Sequence, residues 1–185
     1  MVCTLSHMLR ITLAVSVMLG LCVGLTIIGR PPASAAMNTG RTHGEMCNVV
    51  QEAFMAATNN PSPAYPKDIE ASSHPIGRLE TFVNSYVAQM GLTGVELADL
   101  ISQQGTYSIE HFTPMCDWTG KPQSVMDGQT PMRVEFSNPI FSSDSNLAIT
   151  QISFLGRGRW GYGKICILRK TASDWAARCI AGWIS

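Results

Sequence analysis

GKICILRKTASDWAARCIAGWIS, from Gly163 to Ser185, reads as strand, turn, strand. β-branched and apolar residues fill Ile165–Leu168, and the polar run Thr171-Ala172-Ser173-Asp174 separates them from the stretch opening at Trp175. With that run as a four-residue turn, Lys170 faces Trp175, Leu168 faces Ala177 and Cys166 faces Cys179. Directly opposed residues of an antiparallel pair share a face and lie within disulfide reach. A Cys166–Cys179 bridge leaves Cys47 to pair with Cys116. That second bridge ties the first helix to the segment entering the sheet. It closes a long loop, so the chain-entropy model gives it roughly 3–5 kcal/mol.

Working back from this hairpin, a period of 2 persists to about residue 106. TYSIEHFT alternates, MRVEFSNPIF alternates with Pro139 marking an edge or bulge, SSDSN is a turn, and LAITQISFL is rich in β-branched residues. Four C-terminal strands in hairpin order predict an antiparallel meander. Upstream the period is 3.6. Met46, Val49, Val50, Ala53, Phe54 and Ala57 form one helix face, opened by a capping box at Thr42-x-x-Glu45, with residues 36–41 as a loose arm. Residues 59–75, with four prolines, read as a loop. Leu79, Phe82, Val83, Tyr86, Val87 and Met90 make a second stripe, closed by Gly91 at the left-handed position. Thr93-x-x-Glu96 caps a third helix carrying Val95, Leu97, Ala98, Leu100 and Ile101, which Gly105 stops. Three helices followed by a meander predict an α+β fold, with the helices packed on one face of the sheet.

The N-terminus has the layout of a secretory signal peptide. Arg10 is the basic flank, Ile11–Ile28 carries no charge, and Ala33-Ser34-Ala35 is a small-x-small cleavage site after Pro31-Pro32. Translation starts at Met1 or Met8. Residues 1–35 are thus the expected leader and residues 36–185 a single α+β domain, exported to a periplasm or secreted. The apolar run approaches bilayer-spanning length, so an uncleaved anchor stays open, and with it a membrane association. Cys22 follows Leu21, which rules out a lipoprotein signal. Of six cysteines, Cys3 and Cys22 lie in the leader, and an even four in an exported domain read as disulfides. No Cys-x-x-Cys occurs; His43 and Cys47 share a helix face, but two ligands make no zinc site, and no metal or cofactor is expected.

The chain is formally neutral, but its charge is uneven. Residues 36–132 carry 10 acidic and 4 basic side chains, and residues 133–185 carry 3 acidic and 7 basic. Either the C-terminal part presents a basic face, or the two parts attract each other. Nucleic acid is not an expected partner.

GRGRWGYGK, from Gly156 to Lys164, contains most of a phosphate-binding loop. Such a loop needs a helix after it and a Ser or Thr after the Lys to hold magnesium. Here Ile165 follows Lys164 and a strand comes next, so the stretch reads as a hairpin loop whose glycines, Gly156, Gly158, Gly161 and Gly163, turn through positive φ. Arg157, Arg159 and Lys164 alternate with Trp160 and Tyr162, a composition suited to a protein partner or to an anionic or saccharide surface. The plainer alternative folds both aromatics back over the sheet.

Glu110 and Asp117 are candidate carboxylates for a hydrolase acting on cell-wall or other extracellular polymers, although nothing in their spacing demands it. Glu110 and His111 would point to opposite faces of a strand. His74, before Pro75, reads as a solvated loop residue, and no Ser-nucleophile motif occurs. The stretches RVEFSNPIFSSDSNLAITQISF, YGKICILRK and DWAARCIAGWIS together resemble a layout in exported bacterial proteins without an assigned activity. The resemblance covers roughly residues 133–185 and implies a structural pattern only, with no catalytic residue. The order of helices then meander is also similar to the NTF2-like cone, a fold alternative. The leading expectation is a disulfide-stapled binding module; a hydrolase and a membrane-anchored structural envelope protein are the rivals.

Overall fold

In the computed structural model, residues 39–185 are described, apart from Ser73, Val83 and Arg159. The leader expected over residues 1–35 lies outside the described residues. In chain order the elements are α1 (Thr39–Thr58), β1 (Ala64–Pro66), β2 (Ile69–Glu70), a 3-10 turn (Leu79–Thr81), α2 (Asn84–Met90), α3 (Gly94–Tyr107), β3 (Lys121–Gln123), β4 (Val125–Asp127), β5 (Thr130–Phe136), β6 (Ile140–Phe141), β7 (Leu147–Leu155), β8 (Gly161–Lys170) and β9 (Trp175–Ile184). No helix among the described residues is long and apolar enough to cross a membrane.

The main sheet runs β2-β5-β7-β8-β9. Strands β5, β7, β8 and β9 are an antiparallel meander, as expected, and β2 joins β5 in parallel. The β8–β9 register places Lys170 on Trp175, Leu168 on Ala177 and Cys166 on Cys179. Both expected disulfides are present, Cys47–Cys116 and Cys166–Cys179, with Cα separations of 5.5 and 4.0 Å.

The α+β class holds, but the helices do not share one face. Alternate residues of a strand point to opposite sides. Ala148, Ile152, Phe154, Cys166 and Leu168 pack with Val49, Val50, Ala53 and Phe54 of α1. Their strand neighbours Leu147, Ile149, Ile165 and Ile167 pack instead with Leu79, Met90 and Leu100, from the 3-10 turn, α2 and α3. The reason lies in the strands: Leu147, Ala148 and Ile149 are consecutive and apolar, so both faces need a cover.

Boundaries also differ from expectation. The stretch expected as a loop over residues 59–75 contains β1 and β2, whose backbones pair with β3 and β5, and the stripe from Leu79 opens in a 3-10 turn, with α2 starting only at Asn84. Helix α1 starts at Thr39, so Thr42 lies inside it, not at its cap, and the loose arm does not reach residue 41. Helix α3 continues past Gly105 to Tyr107. Tertiary contacts hold that last turn: Tyr107 packs against Phe141 with ring centroids 5.7 Å apart, and Asn138 Nδ2 donates to the Tyr107 carbonyl at 2.8 Å. Residues 108–119 consequently form no strand; they turn at His111, where φ is +55°, and run as coil past Cys116. The Thr93–Glu96 capping box and the positive φ of Gly91, +68°, match the sequence.

Gln51 on the buried face of α1 was not anticipated. Its amide donates to the carbonyls of Ala64 (3.2 Å) and Thr119 (2.6 Å) and accepts from the Thr119 N–H and hydroxyl, both at 3.2 Å. A buried amide with four bonds is satisfied, and it fastens two irregular segments to the helix.

Candidate functional site

The face of the sheet away from α1 is only partly roofed. Ile140, Leu147, Ile149, Ile165 and Ile167 lie in the apolar cluster with α2 and α3, but further along the same strands the residues turn polar. Registers β2–β5, β5–β7, β7–β8 and β8–β9 align Glu70, Glu135, Ser153, Gly163 and Trp183 in one row across five strands. The middle of this row is the floor of a cleft of about 200 Å³, lined by Ser72, His74, Glu135, Gln151, Ser153, Leu155 and Trp183.

Trp183 reaches that row through a bulge. Up to Ala181, which pairs with Lys164, β9 alternates regularly. Strict alternation would set Trp183 beside Cys179 on the α1 face. The register slips between Gly163 and Lys164, with Gly182 as the extra residue, and Trp183 pairs with Gly163. A single inserted residue reverses the face of everything beyond it. The indole then lies over β8: a Cβ at Gly163 would stand 2.1 Å from Trp183 Nε1, and one at Gly161 would stand 3.2 Å from Trp183 Cη2. These two glycines leave room for the ring. Neither has a positive φ, and nor does Gly156; of the four glycines expected to turn the loop, only Gly158 does so, at +82°. Tyr86 of α2 holds the bulge, its hydroxyl donating to the carbonyls of Ala181 (3.0 Å) and Gly182 (3.1 Å).

The walls are made locally. Ser72 Oγ donates to the His74 carbonyl at 2.7 Å, a tight turn that presents His74 exposed at the cleft edge. The Ser72 N–H donates to the Phe112 carbonyl at 2.9 Å and anchors that loop. On the floor, Gln151 Nε2 donates to Ser153 Oγ at 3.3 Å, and Glu135 is 9% exposed. Trp183 Nε1 makes no hydrogen bond among the described residues.

The described loop residues singled out from sequence have different surroundings. Tyr162 and Lys164 point to the α1 face. Tyr162 stacks on Phe154 at 4.8 Å, and burial followed by the Asp127 carboxylate holds its hydroxyl above the ordinary tyrosine range. Lys164 Nζ donates to the Ala57 carbonyl at 2.6 Å, where a cation meets the carboxyl end of α1. Trp160 packs its edge on Tyr162 at 6.0 Å and remains 42% exposed. Arg157 is exposed, and Arg159 lies outside the described residues. Lys164 sits in strand β8, so a strand and not a helix continues from it.

The uneven charge is used inside the molecule. Glu45 pairs with Lys170, Glu70 with Arg133 at 2.7 Å, and Glu96 with Arg169, each an acid of the first part with a base of the second. Glu110 and Asp117 are exposed on the coil, outside the cleft. Among the described residues no group of three His, Cys, Asp or Glu is placed to hold a metal. His43 lies 3.9 Å from Cys47 Sγ, which is engaged in its disulfide.

A larger cavity, about 490 Å³, opens between α1 and the end of α3 and is walled mainly by Met46, Tyr107, Ile109, Pro139 and Phe141. Three of its polar residues are engaged: His43 Nε2 with the Met115 carbonyl at 2.8 Å, Glu45 with Lys170, and Asn138 with Tyr107. Its walls are mostly apolar, whereas the smaller cleft is lined by His74, Glu135, Gln151, Ser153 and Trp183 around one space.

No family model, curated protein or solved structure matches this chain. What the site does is therefore argued from its own chemistry. Sequence reasoning passed over Glu135, Gln151, Ser153 and Trp183. Two signals were available: Gln151 and Ser153 are two apart within an apolar strand, and so are Arg133 and Glu135, which marks a polar stretch on one face.

Proposed function

We propose that this chain is an exported, disulfide-stapled binding module that takes a small polyhydroxylated ligand, a single saccharide ring, in the cleft beneath Trp183. The observation that carries this reading is the Gly182 bulge, which places an indole on the same row as Glu135 and Ser153. An aromatic face beside side-chain donors and acceptors suits a sugar, whose C–H faces stack and whose hydroxyls need partners. Glu135 lies on β5 and the indole over β8, about 10 Å apart at two strand spacings. That width suits one pyranose ring. Arg157 and Trp160, on the loop that leaves the cleft at Leu155, are positioned to meet a longer chain.

Export is supported by the layout of residues 1–35 together with two disulfides, which persist in oxidising compartments. The intact unreduced mass of the natively exported protein checks this: a mass equal to residues 36–185 less four hydrogens is expected, and a full-length mass would replace the free module with an anchored one.

The cleft is tested by NMR titration of the oxidised full chain with monosaccharides. The Trp183 indole N–H is assigned by its disappearance in Trp183→Phe. A saturable shift of that resonance is expected, together with loss of binding in Trp183→Ala, a chain that still folds and forms both disulfides but melts lower because it lacks the packed indole. If no neutral, acetylated or amino hexose moves it, the cleft is not a sugar site.

A further inference from the structure

The two edges of the main sheet are finished differently. At one, β2 is only two residues long and carries the Glu70–Arg133 ion pair, with β4 pairing β5 beside it. At the other, β9 runs for 10 residues, and no strand among the described residues lies beyond it. Charge, proline and bulges normally keep such an edge from pairing with another chain. From Trp175 to Ala181, β9 has Arg178 as its one charge and no proline, and its bulge comes later, at Gly182.

The backbone of that stretch is open. The Lys170 N–H donates to the Asn146 carbonyl at 2.8 Å, so Lys170 turns its backbone towards β7. By alternation Leu168, Cys166 and Lys164 do the same. Their opposites on β9, Trp175, Ala177, Cys179 and Ala181, therefore point their N–H and C=O groups away from β8. The ends of this row are taken: Asp174 Oδ1 accepts the Trp175 N–H at 2.8 Å, and the Tyr86 hydroxyl donates to the Ala181 carbonyl at 3.0 Å. Between them the Trp175 carbonyl and both backbone groups of Ala177 and Cys179 have no hydrogen-bond partner among the described residues. Ala176 and Arg178 are exposed, and the small side chains of Ala176 and Ala177 keep no second backbone away.

We propose that β9 pairs antiparallel with β9 of a second copy of this chain, centred on Ala177, and joins the two sheets across a two-fold axis. A strand edge offers donors and acceptors alternately, so it complements itself. The register follows from the side chains. Centring on Arg178 would set two guanidinium groups side by side. Centring on Cys179 would place Ala177 against Ala181, whose carbonyl Tyr86 already holds. Centred on Ala177, each Ala177 exchanges bonds with Ala177 of the other copy, and each Cys179 N–H meets the Trp175 carbonyl of the other copy. Arg178 then stands opposite Ala176 and within diagonal reach of Asp174 of the second copy. Charge favours that contact. Asp174 lies near enough to Glu52 to help hold its carboxyl above the ordinary range, after burial, and neither acid has an ion-pair partner among the described residues. Arg178 has none either.

The experiment follows the natively exported, oxidised protein by sedimentation and by amide exchange over a roughly hundredfold range of concentration. The mass is expected to rise about twofold. Across the same range, exchange of the Ala177 and Cys179 amides is expected to slow by about tenfold or more, while the Ala176 and Arg178 amides, bonded to β8, stay slow throughout. Ala177→Pro removes one outward N–H that β8 does not use, so it should abolish the dimer in a chain that still forms both disulfides. Arg178→Glu should weaken the dimer by about fivefold or more, the scale of a lost and reversed surface pair. The exchange measurement needs no variant, so a misfolded Ala177→Pro leaves the test intact. A monomer at every concentration overturns the self-pairing, and protection of these amides only by an added extended peptide would assign the edge to a foreign strand instead. A dimer in which the Ala177 and Cys179 amides stay fast overturns it as well, because the copies then meet elsewhere.

Discussion

Beneath α1 the sheet presents Val134, Phe136, Ala148, Ile152, Phe154 and Leu168, all buried against Val49, Val50, Ala53 and Phe54. On the opposite face the same strands present Glu135, Gln151, Ser153 and Gly163, with Trp183 laid over Gly163. The first face is closed, apolar and locked by both disulfides, since Cys47 sits in α1 and Cys166 and Cys179 pack under it. The second is closed only where α2 and α3 reach. The difference shows how one set of strands divides its labour: the apolar face holds the fold, and the half-roofed face is free to carry polar groups that would weaken a core.

The comparison breaks most visibly at the closed face. Phe54→Ala should cost about 3–5 kcal/mol, because its fully buried ring leaves a cavity. Urea denaturation measures it, and a cost below about 1 kcal/mol would mean that α1 is not the main cover of the sheet. Replacing Cys47 and Cys116 together by serine should cost about 4 kcal/mol, given a sequence separation of 69 residues.

Gly163→Ala strikes the other face. Its Cβ would overlap the indole, so Trp183 must leave its seat; the expected cost is about 1–3 kcal/mol, with a red-shifted tryptophan emission. Deleting Gly182 sharpens the contrast, because Trp183 then follows Ala181 directly, pairs with Gly163 without a bulge and stays on the face away from α1. Retained sugar binding in a chain that still forms both disulfides is the expected result, whereas lost binding would show that the bulge itself shapes the seat of the ring.

A smaller effect separates the roofed from the open part of the second face. Glu96 is held at a pKa of about 2, first by the hydrogen bond from Arg169 and then by the Thr93 backbone N–H. A carboxylate whose folded pKa is depressed contributes stability above its ordinary value, and that contribution fades as pH falls from about 4.5 towards about 2. Arg169 is 46% exposed, so solvent screens the pair and the loss should be only about 0.5–1 kcal/mol. Acid denaturation of Glu96→Gln should lack that portion of the slope. The smallest change is expected for Arg157→Ala, exposed on the β7–β8 loop, whose stability should stay within about 0.5 kcal/mol of the parent.

Much of this architecture is legible in the sequence because its causes are local. The stripe from Met46 to Ala57, the Thr93–Glu96 cap, the left-handed Gly91 and the Thr171–Asp174 turn each follow from spacing and residue type alone. From that turn the β8–β9 register follows, and from the register the Cys166–Cys179 bridge and, by remainder, Cys47–Cys116. The alternation of Glu135, Gln151 and Ser153 was equally readable as a polar stretch. What it was for was not, since polar positions on a strand are ordinary until something stands opposite them.

Tertiary structure decided the rest. A helix packs wherever an apolar face is bare, so the division of the helices between two faces depends on the sheet as a whole. The end of α3 was settled by Asn138 and Phe141, more than thirty residues away, and not by Gly105. Gly161 and Gly163 answered not to a turn but to the indole of Trp183, twenty residues downstream of Gly163. One bulge, held by a tyrosine from α2, carried that indole across the sheet, and local alternation could not show it, because a bulge exists only in the pairing of two strands.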